Sequence, residues 1–156
     1  LAVAAEHPSM KGVLFDRPPV AEVAEGLFKK FGLEDRMTAV GGDYFIDSIG
    51  DGYDLVLAIA TLNFTRHDID PVMTKIHDAL NPGGVFISFH DGLTHERTKP
   101  EVMVLPGLAT SLRGMDMGLD QGFLAEAMLR AGFKSVRSRT VDTGFGPMDL
   151  DIGRKA

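Results

Sequence analysis

Short apolar runs rich in β-forming residues alternate along this chain with stretches whose apolar residues recur every three to four positions. That alternation predicts parallel βα units. Gly12-Val13-Leu14-Phe15 is a short strand that ends at Asp16. Pro18 opens a helix at the position where a missing N–H leaves nothing unsatisfied. Val20, Val23, Ala24, Leu27, Phe28 and Phe31 form its apolar stripe, and Gly32 ends it as the residue after the cap. Met37 to Val40 reads as a second strand, followed by Gly41-Gly42-Asp43. Asp54 to Ala60 is apolar nearly throughout, which predicts a strand buried on both faces.

Ile69, Val72, Met73, Ile76 and Leu80 make the next helical stripe, with His77 expected on its solvent side. Asn81-Pro82-Gly83-Gly84 stops that helix and leads into the strand Val85 to Phe89. Residues 91 to 118, with Pro100 and Pro106, predict a helix and loops over a pocket. Leu119 to Arg130 is helical again and is closed by Gly132. Two last strands, Ser135 to Val141 and Pro147 to Arg154, flank a Gly144-Phe145-Gly146 turn and predict an antiparallel edge. The fold class is therefore α/β, a doubly wound and mostly parallel sheet. No repeat or composition shift marks a second domain.

Composition narrows the function. The chain has 156 residues, enough for one domain with a real core. Hydrophobic residues make up 44% and charged residues 24%, as in an ordinary globular protein rather than a disordered one. No apolar run reaches the ~18 to 20 residues of a membrane span, and the start has no signal-peptide layout. There is no cysteine, which excludes disulfides, thiolate metal sites and a cysteine nucleophile, and fits a reducing cytoplasm. The net charge is −6 and the 16 Lys and Arg are scattered, so no nucleic-acid partner is expected.

Asp16 and Asp43 each follow a strand, where ligands of open α/β sheets bind. A carboxylate there can accept both hydroxyls of a ribose, or it can simply cap the next helix. Asp43, after two glycines, can meet an adenine amino group with Tyr44 or Phe45 against the ring, or belong to an ordinary turn. Counting back ~20 residues from Asp16, where a dinucleotide fold carries its glycine-rich loop, runs off the front of the chain. His90 and His67 are the imidazoles near strand ends, and such a group can deprotonate a phenol near neutral pH. Met103, Met115 and Met117 suit either a flat aromatic ligand or a gap in the core. No metal-binding constellation is visible.

Gly12-Val13-Leu14-Phe15-Asp16, Gly42-Asp43-Tyr44-Phe45, Asp54-Leu55-Val56-Leu57, Leu80-Asn81-Pro82-Gly83-Gly84 and Ala131-Gly132-Phe133, in that order and spacing, resemble the class I S-adenosylmethionine-dependent methyltransferases. More narrowly the chain is similar to small-molecule O-methyltransferases of the caffeate, flavonoid and polyketide-tailoring type. The resemblance implies a Rossmann-like fold and S-adenosylmethionine as cofactor. Asp16 would hold its ribose, Asp43 its adenine amino group, and Tyr44 and Phe45 would lie close to the adenine. It also implies transfer of a methyl group to a hydroxyl of a small aromatic or polyketide-like acceptor, in a homodimer. The segment carrying Met103, Met115 and Met117 would line the acceptor pocket.

Two departures stand out. The family's Gly-x-Gly-x-Gly loop is absent, and Leu1 to Pro8 reads as the back half of the helix that follows it. Residues 1–156 are thus expected to be part of a methyltransferase domain, without its first strand and without the N-terminal dimerisation domain. The family's histidine base falls at Leu62, which leaves His90 and His67 as candidates and keeps open a catalytically inactive relative acting through cofactor binding or dimerisation. An NAD-dependent dehydrogenase shares the fold. There is no Asn-Pro-Pro-Tyr-type tetrad after Ala60, the mark of enzymes that methylate exocyclic amines.

Overall fold

A computed structural model of the chain describes residues 1–144 and 146–156, so Phe145 of the expected Gly144-Phe145-Gly146 turn lies outside the described residues. The chain divides into two compact units, Leu1–Ile49 and Gly50–Ala156.

The first unit holds α1 (Ala2–Glu6), β1 (Gly12–Asp16), α2 (Pro18–Lys30) and β2 (Met37–Gly41). β1 and β2 pair in parallel, from Gly12 opposite Met37 to Asp16 opposite Gly41. Ala4, Ala24, Phe28 and Leu33 form the core, with Met10, Leu14, Met37 and Ala39 packed on it. The Arg36 guanidinium donates to the carbonyls of Ala4 (2.6 Å), His7 (3.1 Å) and Met10 (3.2 Å). It thereby satisfies the loose carbonyls at the end of a helix too short to be stable alone.

α2 starts at Pro18 as expected and stops at Gly32, whose φ is 64°. There the Leu33 N–H reaches back to the Phe28 carbonyl at 2.9 Å, a left-handed cap that glycine adopts without strain. The α2 stripe is only half buried. Ala24 and Phe28 are inside, but Val23 is 64% and Phe31 58% exposed. Two strands and one helical turn offer this unit too little surface to cover the whole stripe.

The second unit runs β3 (Tyr53–Ile59), a 3₁₀ turn (Leu62–Thr65), α3 (Ile69–Ala79), β4 (Leu80–His90), α4 (Glu101–Ser111), α5 (Phe123–Arg130), β5 (Lys134–Thr143) and β6 (Gly146–Arg154). The sheet order is β3-β4-β6-β5. β3 and β4 are parallel, while β6 pairs antiparallel with both β4 and β5. An α/β fold whose last two strands form an antiparallel edge is what the alternating pattern led us to expect. The α3 stripe is realised in full, with Ile69, Val72, Met73, Ile76 and Leu80 all buried. α5 is shorter than Leu119 to Arg130, because Gly122 at φ 80° begins it. It ends at Gly132 (φ 98°), with the Phe133 N–H on the Met128 carbonyl.

Strand alternation sorts the sheet faces. On β4, Phe86, Ser88 and His90 point one way, and their register partners on β6 are Gly153, Asp151 and Asp149. A Cβ on Gly153 would lie 3.1 Å from Met128 Sδ, so this is the face that α5 covers. His77 is not fully solvent-facing: its ring meets Phe133 edge-on at 5.0 Å.

β3 corrects another expectation. Leu55, Leu57 and Ile59 are 41%, 44% and 62% exposed, and only Ala58 is buried. β3 is the end strand of its sheet, and among the described residues no element of its own unit covers that face.

Residues 91–120 form loops around α4, on which no residue is buried. Met103 and Met117 are half-buried and Met115 is exposed. Two arginines gather this segment. Arg97 bonds Asp116 (2.6 Å) and Asp120 (3.0 Å), and Arg66 bonds Asp116 as well. These bonds raise the Arg97 guanidinium above its ordinary value against the opposing effect of burial. The Arg97 hydrogen bond, helped by the charges of Arg97 and Arg66, holds the Asp116 carboxyl below its ordinary value.

Candidate functional site

In the first unit, chemistry gathers at the carboxyl ends of β1 and β2. Asp16 is the last residue of β1, and its carbonyl accepts the Gly42 N–H at 2.9 Å, which locks the two strand ends side by side. Its Oδ1 accepts the Arg17 N–H at 2.7 Å. Asp43 lies two residues beyond β2. Its Oδ1 accepts the Phe45 N–H at 2.9 Å, and its own N–H donates to Asp47 Oδ2 at 2.8 Å. Both aspartates are exposed, and each uses one carboxylate oxygen locally.

Tyr44 and Phe45 stack with ring centroids 4.9 Å apart. Burial, then the charges of Asp43 and Asp16, push the Tyr44 hydroxyl up, with Arg17 opposing. The ring therefore sits within the field of both aspartates. Glycine is required beside them: a Cβ on Gly42 would fall 2.5 Å from Phe15 Cζ, and one on Gly41 2.8 Å from Pro18 Cα. Two carboxylates with outward capacity next to aromatic rings fit a nucleoside, whose ribose hydroxyls and exocyclic amine are donors and whose base is a flat apolar face.

In the second unit the corresponding ends are those of β3 and β4. Ala60, just past β3, has φ 50°, a left-handed conformation that is strained for a residue with a Cβ. Asn63 on the 3₁₀ turn then donates to Asp91 Oδ1 and, at 2.9 Å, to the Met117 carbonyl. Asp91, directly after β4, also accepts the Leu119 N–H at 3.3 Å.

Leu62 is buried in the core at 3% exposure, and His67 is exposed between the 3₁₀ turn and α3. His90 is 1% exposed. Its Nε2 is 2.9 Å from Asp151 Oδ2, and its Nδ1 is 2.5 Å from the Asp91 carbonyl. Burial works against the charged ring. The Asp151 and Asp91 hydrogen bonds and the charges of Asp151 and Asp149 outweigh it and raise the pKa of His90. In its charged form the ring donates from both nitrogens. This corrects the expectation of His90 as a base: its alternation on β4 turns it under the helix-covered face, and both nitrogens are engaged.

Asp149 continues the cluster, accepting from Thr140 Oγ1 at 2.9 Å. Its carboxylate presses on Gly92, where a Cβ would lie 2.4 Å from Asp149 Cγ. Sequence reading missed Asn63, Asp91, Asp149 and Asp151 as a set. A polar Asp149-x-Asp151 pair in an otherwise apolar strand was the available signal.

Asp16 and Asp43 thus stand at neighbouring parallel strand ends of an α/β unit. The comparisons carry this further: the O-methyltransferase domain family matches residues 1–114, and the chain belongs to that family. Among relatives, it is 30% identical over 156 residues to mitomycin biosynthesis 6-O-methyltransferase of Streptomyces lavendulae, covering 99% of this chain and 43% of that protein. It is 26% identical over 159 residues to L-tyrosine C(3)-methyltransferase of the same organism, again over 99% and 43%. Among solved structures it resembles SibL, an S-adenosylmethionine-dependent methyltransferase in its apo form. There the TM-score is 0.79 and the identity 26%, over 99% of this chain and 46% of the other. The chain thus spans less than half the length of the relatives it matches.

Proposed function

We propose that the chain is part of the catalytic domain of a longer methyltransferase. That enzyme transfers a methyl group from S-adenosylmethionine to a hydroxyl of a small aromatic or polyketide-like molecule. Membership of the O-methyltransferase family and the names of the mitomycin enzyme and SibL support the reaction class. One observation carries the cofactor: Asp16 and Asp43 stand at adjacent parallel strand ends beside the Tyr44–Phe45 stack. Asp16 accepts the ribose hydroxyls, Asp43 accepts from the adenine amino group, and Tyr44 and Phe45 lie near the base. The cofactor supplies an electrophilic methyl on sulfur, and the protein aligns the acceptor oxygen with it.

The open outer edge of β3 and its exposed Leu55, Leu57 and Ile59 suit a further strand and helix carrying the glycine-rich loop. We assign the assembly to a homodimer and the compartment to the cytoplasm, the latter in keeping with a chain without cysteine. Of the two candidate imidazoles, His67 is the exposed one and is left for proton removal.

Calorimetric titration of S-adenosylmethionine into the full-length enzyme tests this reading. Asp16→Ala and Asp43→Ala should each weaken binding about tenfold or more, since each removes hydrogen bonds to a charged acceptor. Undiminished affinity in both variants would overturn the cofactor assignment. Mass spectrometry of the product, separating oxygen- from carbon-methylated isomers, tests the acceptor atom, because one relative is named for methylation at carbon.

A further inference from the structure

Asn63 and Asp91 form a polar pair that spans the carboxyl ends of the two parallel strands of the second unit, on the side where open α/β sheets take their ligands. Two independent features mark the pair. The chain enters it through the strained Ala60, whose backbone is left-handed directly after β3. The amide of Asn63 is also asymmetrically satisfied. Both its hydrogens are donated, to Asp91 Oδ1 and the Met117 carbonyl, while its Oδ1 is buried with no donor among the described residues. A buried acceptor without a donor is uncommon and calls for a hydrogen-bonding partner.

Behind the pair lies the buried string described above. Asp151 fixes the His90 ring, and His90 Nδ1–H holds the Asp91 carbonyl at 2.5 Å. The backbone from which the Asp91 carboxylate projects is thereby pinned. The half-buried carboxylate is left with lone pairs beyond those used by Asn63 and the Leu119 N–H.

We infer that the Asn63–Asp91 pair is the acceptor-hydroxyl site: Asp91 takes the O–H hydrogen bond of the molecule to be methylated, and His90 with Asp151 positions Asp91. This inference rests on the methyltransferase reading and adds the residues that orient the acceptor. The carboxylate orients the hydroxyl without ionising it, because a phenol and an aspartate differ by about six pKa units.

The site predicts a preference for donors. 2-Naphthol and 2-methoxynaphthalene share the flat ring, and only the first has an O–H to donate. A hydrogen bond to a charged group corresponds to about 10- to 100-fold in affinity. Calorimetry on the full-length enzyme should therefore show 2-naphthol bound at least tenfold more tightly than the ether. The preference should fall to about one in Asp91→Ala and be reduced in His90→Gln, with helix content by circular dichroism unchanged. Asp91→Glu should recover part of it, which a merely structural role would not do.

The absence of a preference in the wild type, or an undiminished one in folded Asp91→Ala, would overturn the inference. S-adenosylmethionine titrated into the same samples separates the two readings. Cofactor binding without hydroxyl preference removes this site alone. Hydroxyl preference without cofactor binding removes the methyltransferase reading.

Discussion

Asp151→Asn is the most informative single change in the buried cluster. Asp151 is 0% and His90 1% exposed, so the substitution leaves an imidazolium in a dry interior opposite a neutral amide. Breaking a buried pair by removing one charge costs about 3–5 kcal/mol. The asparagine carbonyl can still accept from Nε2, which recovers about 1 kcal/mol. The expected loss is therefore about 2–4 kcal/mol near pH 6. The sign with pH follows from the raised pKa of His90. Such a group contributes stability that is fully present below the unfolded histidine value of about 6.5 and is lost as pH rises through the folded value. The penalty should accordingly shrink at pH 9, where a neutral ring pairs acceptably with an amide. Urea unfolding followed by circular dichroism, on wild type and variant at both pH values, measures this. A loss under about 1 kcal/mol at pH 6, or the same loss at both, would refute the buried imidazolium.

Further outcomes are expected from two assays. Met73 on α3 is 0% exposed and Ile59 on β3 is 62% exposed. Met73→Ala should therefore cost about 2–5 kcal/mol in the same urea assay, and Ile59→Ala less than about 1. The segment around Asp116 and Asp120 should become protease-sensitive in Arg97→Ala. In the wild type the same segment should loosen as pH falls through the depressed Asp116 value, because a depressed carboxyl contributes stability above its unfolded pKa and loses it on acidification. Timed proteolysis from pH 7 down to pH 3 reads both.

Local signals carried the first steps of interpretation. Gly32 and Gly132 were recognisable as helix ends because only glycine takes the left-handed turn they make without strain. The α3 stripe was complete because one face of that helix meets the sheet along its whole length. β3 misled for the opposite reason. An apolar run records what a strand is built to be covered by, whereas its exposure depends on elements the local pattern does not contain. His90 misled through distance. Its partner Asp151 is 61 residues away and meets it only through the β4–β6 register, which no local window encodes. Asn63 and Asp91, 28 residues apart, were equally hidden. Asp16 directly follows an apolar run and Asp43 follows one after two glycines, and position after a strand is itself a local signal.

The contact between Gly92 and Asp149 ties two distant positions into one heritable unit. Any side chain at 92 collides with a carboxylate that is itself held by Thr140, and the buried site leaves that carboxylate nowhere to swing. Drift at 92 is closed until 149 has first become smaller, and a smaller residue at 149 releases Thr140 and removes a negative charge that favours the His90 imidazolium. A saturation library at 92 alone should return glycine, whereas a library varying 92 and 149 together should return matched pairs. The order in which this corner can change is thus written into its packing.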